Sequence, residues 1–263
     1  MGVNRRRVGL ALGGGGVRGM AHVGVLHVLE QEKIPVDCIA GTSVGSFVGA
    51  AYAAGVRGDR LLKLAQEVQW RHIARLVWPR HGFVSFSRME SYITRFMGDL
   101  TFDDLEIPYA AVTADLTTGE PVVLKEGRVA PAVRASCSIP GVVTPVRLNG
   151  RLLVDGGIVN NLPISVVRDL GADLVIAVAL GVPPADPPKG PFGIGIAAIE
   201  FLIIHAADDP ATADAYIPIP VWGLGSVVRI SMRQRLIALG RQAAEQALPA
   251  IKAALAESGL KAG

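Results

Sequence analysis

The sequence predicts an α/β fold, a three-layer α/β/α sandwich whose central sheet is mostly parallel and carries hairpin insertions. Two observations predict this class. Short apolar runs alternate along the chain with longer segments in which apolar residues recur at helical spacing. Glycine-rich turns follow the first two apolar runs, and functional sites in such sheets gather beyond the carboxyl ends of the strands.

Size and composition predict a single domain over residues 1–263. Half of the residues are hydrophobic and 31 are glycine, which is a globular and not a disordered composition. The net charge of +3 is mild and predicts no nucleic-acid partner. The two cysteines, Cys38 and Cys137, stand in apolar surroundings, so we expect no disulfide framework and a reducing compartment.

The apolar runs are too short for a secretory signal or a membrane span. Residues 1–7 are basic, but the apolar run behind them breaks at once into four glycines, so we expect no signal peptide. Residues 192–204 form the longest apolar stretch, 13 residues interrupted by Glu200, where a spanning helix needs about 20. We therefore expect a buried or interfacial helix there, and a cytoplasmic protein with peripheral membrane contact left open.

The first elements alternate between strand and helix. Apolar residues from Met20 to Leu29 recur close to helical spacing, and Gly55 stops a second helix-forming segment. In order, the pattern predicts a strand, a helix, a strand, a helix and a basic helical region, over residues 8–12, 20–31, 34–40, 44–54 and onward to about 77.

The middle of the chain predicts one capped helix and two hairpins. Ser87 and Glu90 have the spacing of a capping box, and Gly98 ends the helix that they open. Asn149-Gly150 is the strongest short signal for a hairpin turn. The paired strands are predicted over residues 108–114 with 121–124, and 146–148 with 151–154.

The last third returns to helix and buried strand. We predict a helix over residues 162–170 with Gly171 behind it, and a buried strand over 173–180. Residues 181–193 hold five prolines and predict a loop or linker. A second capping box begins at Ser231 and opens a C-terminal amphipathic helix over residues 231–257.

The pentapeptide Gly41-Thr-Ser-Val-Gly45 is the most informative motif. It lies between a predicted strand and a predicted helix, which is the setting of a nucleophile elbow. Such a turn exposes the Ser43 hydroxyl at a helix N-terminus, where the helix dipole favours the negative charge of an acyl-transfer intermediate. The other interpretation is a small-residue turn with an N-capping serine.

The glycine run at residues 13–16 has two interpretations. Gly14, Gly16 and Gly19 fit G-x-G-x-x-G, which predicts a dinucleotide site, but the acid expected at the end of the second strand is missing, because Asp37 stands near its start. No Gly-Lys-Ser/Thr follows, which excludes a Walker A loop. The alternative is an oxyanion hole, since glycine backbone amides can approach a substrate oxygen closely.

A serine nucleophile needs a base, and the chain offers few candidates. Of the five histidines, only His205 follows the later acids, and its setting predicts a histidine at a helix end. Asp155 ends a predicted strand and is followed by two glycines. It is either the base or the start of an Asx-type turn. Asp115 has a similar position but precedes ordinary turn residues.

Three motifs in order resemble the patatin-like phospholipase family in its compact bacterial form. They are Gly-Gly-Gly-x-Arg-Gly, Gly-Thr-Ser-x-Gly and Asp-Gly-Gly, at residues 14–19, 41–45 and 155–157. Residues 19–26, 134–140 and 155–163 also fit, and the resemblance runs over about residues 8–180. The family often has Asp or Ser before the glycines, where this chain has Leu12.

The resemblance implies a patatin-like fold and hydrolysis of fatty-acyl esters by a serine–aspartate dyad, without metal or organic cofactor. Ser43 would be the nucleophile and Asp155 the base. The oxyanion site would comprise Gly14, Gly15, Gly16 and Arg18. The glycines that support the two turns would be Gly41, Gly45, Gly156 and Gly157.

Residues 57–95 predict a second functional surface. They hold eight Lys or Arg against three Asp or Glu, with Trp70, Trp78, Phe83 and Phe86 interleaved. The segment is either a solvated face or a patch that rests on an anionic membrane. Two other functions stay open beside the lipid or acyl-ester hydrolase, namely a nucleotide-binding protein and a regulatory protein that uses the glycine loop. Oligomeric state is not predicted.

Overall fold

Five parallel strands form the centre of the molecule. The computed structural model describes residues 6–181, 190–221 and 230–257. Within this part of the chain there are ten strands: β1 (Val8–Leu12), β2 (Cys38–Thr42), β3 (Arg75–Leu76), β4 (Val84–Ser85), β5 (Tyr109–Asp115), β6 (Pro121–Leu124), β7 (Val146–Leu148), β8 (Arg151–Asp155), β9 (Leu174–Leu180) and β10 (Ala215–Ile219).

The same ranges contain nine α-helices, several of which begin directly after a strand. They are α1 (Met20–Gln31), α2 (Val44–Ala53), α3 (Gly58–Glu67), α4 (Trp70–Ile73), α5 (Ser87–Met97), α6 (Val129–Ser136), α7 (Ile164–Asp169), α8 (Gly190–His205) and α9 (Arg233–Glu257).

The main sheet is mixed but mostly parallel. Its hydrogen-bonded order is β10-β9-β1-β2-β5-β8-β7, and β6 also pairs with β5. The pairs from β10 to β5 are parallel, and those that involve β6, β7 and β8 are antiparallel. The predicted α/β class with hairpin insertions is therefore confirmed. β3 and β4 form a separate short hairpin.

Alternate residues of the central strands enter two separate cores. In β1, Leu10 and Leu12 belong to the larger core and Ala11 to the smaller one. Helices α1, α2 and α9 supply the larger core, and α7 supplies the smaller one. Since side chains alternate between the two faces of a sheet, the helices cover both faces and the three-layer prediction holds.

Several element boundaries differ from prediction for local reasons. β2 begins at Cys38 and not at residue 34, because Pro35 has no amide hydrogen for a ladder and the Asp37 side chain accepts the Val8 amide instead. α7 begins at Ile164, since Pro163 occupies its N-cap. The hairpin turn is confirmed, and Asn149 and Gly150 have φ of 50° and 77°, as a type I′ turn requires.

The predicted capping box at residue 87 is wrong. Ser87 is the first residue of α5 and its N-cap is Phe86, which makes no side-chain capping bond, while the Ser87 amide donates to Ser85 Oγ (3.3 Å). Glu90 forms an ion pair with Arg134 on α6 (2.8 Å) and so ties the two helices together. Gly98 ends the helix as predicted, with φ of 97°. At the other predicted box, Ser231 lies in a 3₁₀ turn and α9 begins at Arg233, two residues later than expected.

The apolar run near residue 200 lies on α8, which begins at Gly190. Residues 182–189 of the predicted loop lie outside the described residues. Residues 190–193, which were predicted as the end of that loop, belong to the helix. Pro191 fits there, because the first turn of a helix does not need its amide. Ile194, Phe201, Leu202 and Ile204 are exposed. Among the described helices, none is both long and apolar enough to cross a bilayer.

Candidate active site

Strands β2 and β8 approach each other end to end along one edge of β5. Thr42 of β2 lies opposite Val112, and Asp155 of β8 lies opposite the next residue, Thr113. β6 occupies the other edge, since it pairs with these same residues of β5. Because β2 is parallel to β5 and β8 is antiparallel, their carboxyl ends meet. Ser43, directly after Thr42, is thereby brought against Asp155.

Ser43 sits in a sharp turn that requires its two glycines. Its φ of 54° lies in the left-handed region, which non-glycine residues seldom adopt, at a cost of about 1–3 kcal/mol. A Cβ on Gly41 would stand 2.5 Å from the Gly45 backbone, and one on Gly45 would collide with the Leu12 carbonyl. The turn therefore packs against β1 as closely as backbone allows.

Hydrogen bonds from buried serines hold this conformation. The Ser43 amide donates to Ser136 Oγ (2.9 Å), whose hydroxyl donates to the Val112 carbonyl (2.6 Å). Ser46 Oγ donates to the Ser43 carbonyl (2.7 Å). Ser43 is the N-cap residue of α2, but its side chain makes no capping bond, so the N-capping interpretation is wrong. Ser136 lies within residues 134–140, which fit the family resemblance, but no role is predicted for it from the sequence, since its partner Ser43 is 93 residues away.

The Ser43 hydroxyl donates to the Asp155 carboxylate. The distance from Ser43 Oγ to Asp155 Oδ2 is 2.6 Å, and the residues are 8% and 2% exposed. Asp155 Oδ1 accepts the Gly157 amide (2.8 Å), so the aspartate starts an Asx-type turn as well. Burial raises the pKa of Asp155 to about 6, against the opposing effect of the hydrogen bonds from Ser43 and Gly157.

The competing acid and base candidates lie elsewhere. Asp115 accepts the Thr117 amide (2.9 Å) and an Arg151 guanidinium hydrogen bond (3.4 Å), which is turn chemistry as predicted. His205 is the exposed last residue of α8, the predicted helix end. In the described residues, no histidine hydrogen bonds to Ser43 or Asp155.

The glycine loop is pinned at successive peptides. The Gly13 amide donates to the Val178 carbonyl (3.0 Å), and the Gly14 amide donates to the Asn161 carbonyl (3.1 Å). Buried His22 donates from Nε2 to the Gly13 carbonyl (2.8 Å), and burial lowers the pKa of His22 to about 4, so the ring is neutral. The Gly14 amide therefore already has a hydrogen-bond acceptor. The Gly15 and Gly16 amides are the donors of this loop that a substrate could use.

Arg18 supports this loop from within the site. The residue is 8% exposed, and its Nε donates to the Gly15 carbonyl (3.0 Å). Burial lowers the pKa of Arg18, while the Glu200 carboxylate raises it. Because Arg18 and Ser43 line the same cavity, the guanidinium places positive charge in the wall of that cavity.

A large apolar cavity opens above Ser43. Its volume is about 790 Å³, and Ser43, Asp155, Gly15, Gly16 and Arg18 all contribute to its wall. Most of the rest of the wall is apolar, from the α4–β4 region, residues 139–143 and α8. A second cavity of about 100 Å³ also reaches Ser43, between α1, α2 and α5. The cavity can therefore accept a long apolar group beside the hydrogen-bonded Ser43 hydroxyl and Asp155 carboxylate.

The dinucleotide interpretation finds no support in this geometry. Asp37, the acid nearest to the expected position, accepts the Val8 amide (2.7 Å) at the amino ends of β1 and β2. The glycine loop lies at the opposite, carboxyl ends of these strands. The distance along the strands separates that carboxylate from any ligand held by the glycines.

Comparison with known proteins agrees with these motifs. A family model described as Patatin-like phospholipase matches residues 10–168. An uncharacterized NTE family protein of Mycobacterium tuberculosis is 40% identical over 186 residues, which cover 70% of this chain and 51% of that protein. Lysophospholipase nte1 of Aspergillus fumigatus is 38% identical over 182 residues, which cover 67% of this chain and 12% of that protein. This chain thus spans about half the length of the mycobacterial relative, and less of the fungal one.

The crystal structure of VipD from Legionella pneumophila has the same fold. The TM-score is 0.55 at 14% sequence identity, and the match covers 93% of this chain and 67% of that chain. At this identity the likeness concerns the fold alone.

Proposed function

Because the chain belongs to the patatin-like phospholipase family, we propose that it is a serine hydrolase that cleaves fatty-acyl esters of lipids through an acyl-enzyme on Ser43. The observation that carries the proposal is the 2.6 Å hydrogen bond from Ser43 Oγ to Asp155 Oδ2 on the wall of an apolar cavity. The similarity to a lysophospholipase supports a lipid substrate.

In the proposed first half-reaction, Asp155 Oδ2 accepts the hydroxyl proton as Ser43 Oγ forms a bond to the ester carbon. The carbonyl electrons move to the oxygen, where the Gly15 and Gly16 amides and Arg18 stabilise the negative charge. When the tetrahedral intermediate collapses, the bond to the alkoxy oxygen breaks. That oxygen takes the proton from Asp155 and leaves as the alcohol.

In the second half-reaction, water gives a proton to Asp155 and attacks the acyl-enzyme. Ser43 Oγ leaves and recovers that proton, so the fatty acid is released and the dyad is restored. An ordinary carboxylate, with a pKa near 4, is a weak base at neutral pH. Burial brings the pKa of Asp155 to about 6, which suits proton transfer near neutrality better while leaving the group ionised there.

We propose further that the protein makes peripheral contact with anionic membranes near the cavity. Arg71, Arg75 and Leu76 line the cavity and are exposed, and Leu76 is 85% exposed. Trp78 follows at 82% exposed, on the loop between β3 and β4. Trp70 and Phe86, which the sequence suggested as surface aromatics, instead face the cavities. The contact therefore involves the hairpin loop and its arginines and not all four aromatic residues.

Covalent labelling tests the hydrolase proposal. A fluorophosphonate should label the wild-type chain and not Ser43→Ala, and the same substitution should abolish turnover of a soluble acyl ester. Ser43→Ala should still fold, although it leaves Asp155 Oδ2 without the hydroxyl donor and should melt somewhat lower than the wild type. A wild-type chain that is folded but neither labelled nor active would contradict the proposal, and stabilisation by nucleotides would then favour the nucleotide-binding function.

A further inference from the structure

The position of Asn161 is fixed by its backbone on both sides. Its amide donates to the Ala206 carbonyl behind α8 (3.1 Å), and its carbonyl accepts the Gly14 amide (3.1 Å). The residue therefore joins the segment after Asp155 to the glycine loop. Both hydrogen bonds are made by the backbone of Asn161. They fix the position of the residue and leave the polar atoms of its carboxamide free of these two bonds.

The Asn161 carboxamide lies close to Ser43. A Cβ added to Gly14 would collide with Asn161 Oδ1 and stand 3.2 Å from Ser43 Cβ, so both side chains flank the same glycine. A Cβ added to Gly157 would lie 3.3 Å from Asn161 Oδ1. Asn161 also lines the large cavity together with Ser43 and Asp155.

The two ends of the carboxamide have different surroundings. Oδ1 is buried between Gly14 and Gly157, and among the described residues it has no hydrogen-bond donor. Nδ2, the donor end, is then the part of the side chain that can face the cavity. A buried acceptor without a partner is unfavourable, by about 1–3 kcal/mol. The donor end can gain a hydrogen bond of its own when an acceptor atom of a ligand meets Nδ2 in the cavity.

We propose that Asn161 Nδ2 is a further catalytic group, which donates a hydrogen bond to the acyl oxygen as it becomes an oxyanion. The inference rests on the proposed hydrolase function. Asn161 takes the Gly14 amide out of the oxyanion site through its carbonyl and supplies a side-chain donor in its place. No proton is transferred; the hydrogen bond strengthens as charge develops on the oxygen.

Paired substitutions test this role. Asn161→Leu keeps the shape and removes both polar atoms, and Asn161→Asp keeps Oδ1 and removes the donor. Both should lower kcat for a soluble acyl ester by about 100-fold or more with little change in KM, the loss typical of one oxyanion donor. Asn160→Ala is the matched control, because that side chain donates to Ser165 (3.3 Å) and Asp208 (3.1 Å) and should leave kcat near wild type.

A transition-state analogue separates this role from a structural one. An alkyl trifluoromethyl ketone adds to Ser43 and carries an oxyanion, so its affinity should fall with kcat/KM across the variants. Asn161→Asp keeping wild-type kcat, or Asn161→Leu raising only KM, would overturn the inference. A wild-type chain without turnover or labelling would instead contradict the hydrolase proposal itself. If Asn161→Leu does not fold, the kcat of Asn161→Asp and its affinity for the trifluoromethyl ketone still test the role of Asn161.

Discussion

Ser43 and Asp155 are 112 residues apart in the chain, yet a 2.6 Å hydrogen bond joins their side chains in the core. The cause is the shared edge of β5, where the ends of β2 and β8 face each other at Val112 and Thr113. A parallel strand in the position of β8 would carry its carboxyl end away from Ser43. The antiparallel insertion is therefore what brings the carboxylate to the serine.

Asp155→Asn is expected to fold and to lose most ester hydrolysis. The single carbonyl oxygen of asparagine can still accept the Gly157 amide, and its NH₂ group then faces Ser43 Oγ, where it can donate but cannot take a proton. The rate should therefore fall by about 10²–10⁴-fold, the usual contribution of a general base. The measurement is kcat/KM on a soluble acyl ester. Asp115→Asn changes another buried strand-end aspartate and should keep near wild-type activity. Equal losses in both variants would contradict a specific role for Asp155.

The rate should depend on pH through Asp155. Because burial raises the pKa of this carboxyl to about 6, the base is protonated below that pH and ionised above it. We expect kcat/KM, which reports the free enzyme, to rise about tenfold per pH unit below 6 and to level off above 7. A pH–rate profile of the wild-type chain checks this. A profile flat from pH 4.5 to 8 would exclude Asp155 as the titrating base.

The stability of the folded chain should also depend on the protonation of Asp155, but it should fall with rising pH where the rate rises. The folded pKa of about 6 exceeds the ordinary value of 3.8, so between these values the folded state binds more protons than the unfolded state. The contribution of Asp155 to stability therefore falls as pH rises through this range. Asp155→Asn should melt higher than the wild type at pH 7.5, and the difference should shrink toward pH 4. Calorimetry at both pH values measures it, and a destabilised variant at pH 7.5 would be contrary evidence.

Ser136→Ala should harm both the fold and the rate. The hydroxyl bridges the Ser43 amide and the Val112 carbonyl, and its loss leaves two buried backbone groups unpaired, at about 1–3 kcal/mol each. Without this bridge the left-handed turn at Ser43 is held less firmly, so kcat should fall as well. Ser138→Ala removes one buried hydroxyl that donates only to the Arg134 carbonyl (2.9 Å) and should cost less. Chemical denaturation compares the two, and equal stability losses would refute the bridging role.

Local patterns predicted the elements better than the contacts of the site. The strand Val8–Leu12, the helix Met20–Gln31 and the turn at Asn149-Gly150 follow from residues that are neighbours in sequence, and all three are observed. Ser136 bonding the Ser43 amide depends on a pairing across 93 residues that no local pattern expresses.

The glycine loop illustrates the same limit. The resemblance to the family implies that Gly14 belongs to the oxyanion site together with Gly15, Gly16 and Arg18. Only the folded chain brings the Asn161 carbonyl to the Gly14 amide and His22 to the Gly13 carbonyl. Which amides remain for a ligand depends on these long-range partners, whereas the motif reports only that the backbone can come close.

Binding to vesicles should depend on anionic lipid and on the exposed hairpin loop. Arg75 and Arg80 are exposed near Trp78, so they can attract an anionic surface while the indole enters the headgroup region. We expect co-sedimentation with anionic vesicles and weaker binding to zwitterionic ones. Salt should weaken it further, since the screening length is about 10 Å at 0.1 M.

The loop and the charges can be tested separately. Trp78→Ser should reduce binding to anionic vesicles at every salt concentration, because it removes the apolar anchor. Arg75→Gln with Arg80→Gln should reduce it mainly at low salt. Lys125→Gln, an exposed cation outside residues 57–95, serves as the control and should bind like the wild type. Turnover of a soluble ester should stay unchanged for Trp78→Ser, because that side chain does not line either cavity. If the wild-type chain and all three variants bound neutral and anionic vesicles equally, the hairpin loop would not be the membrane contact.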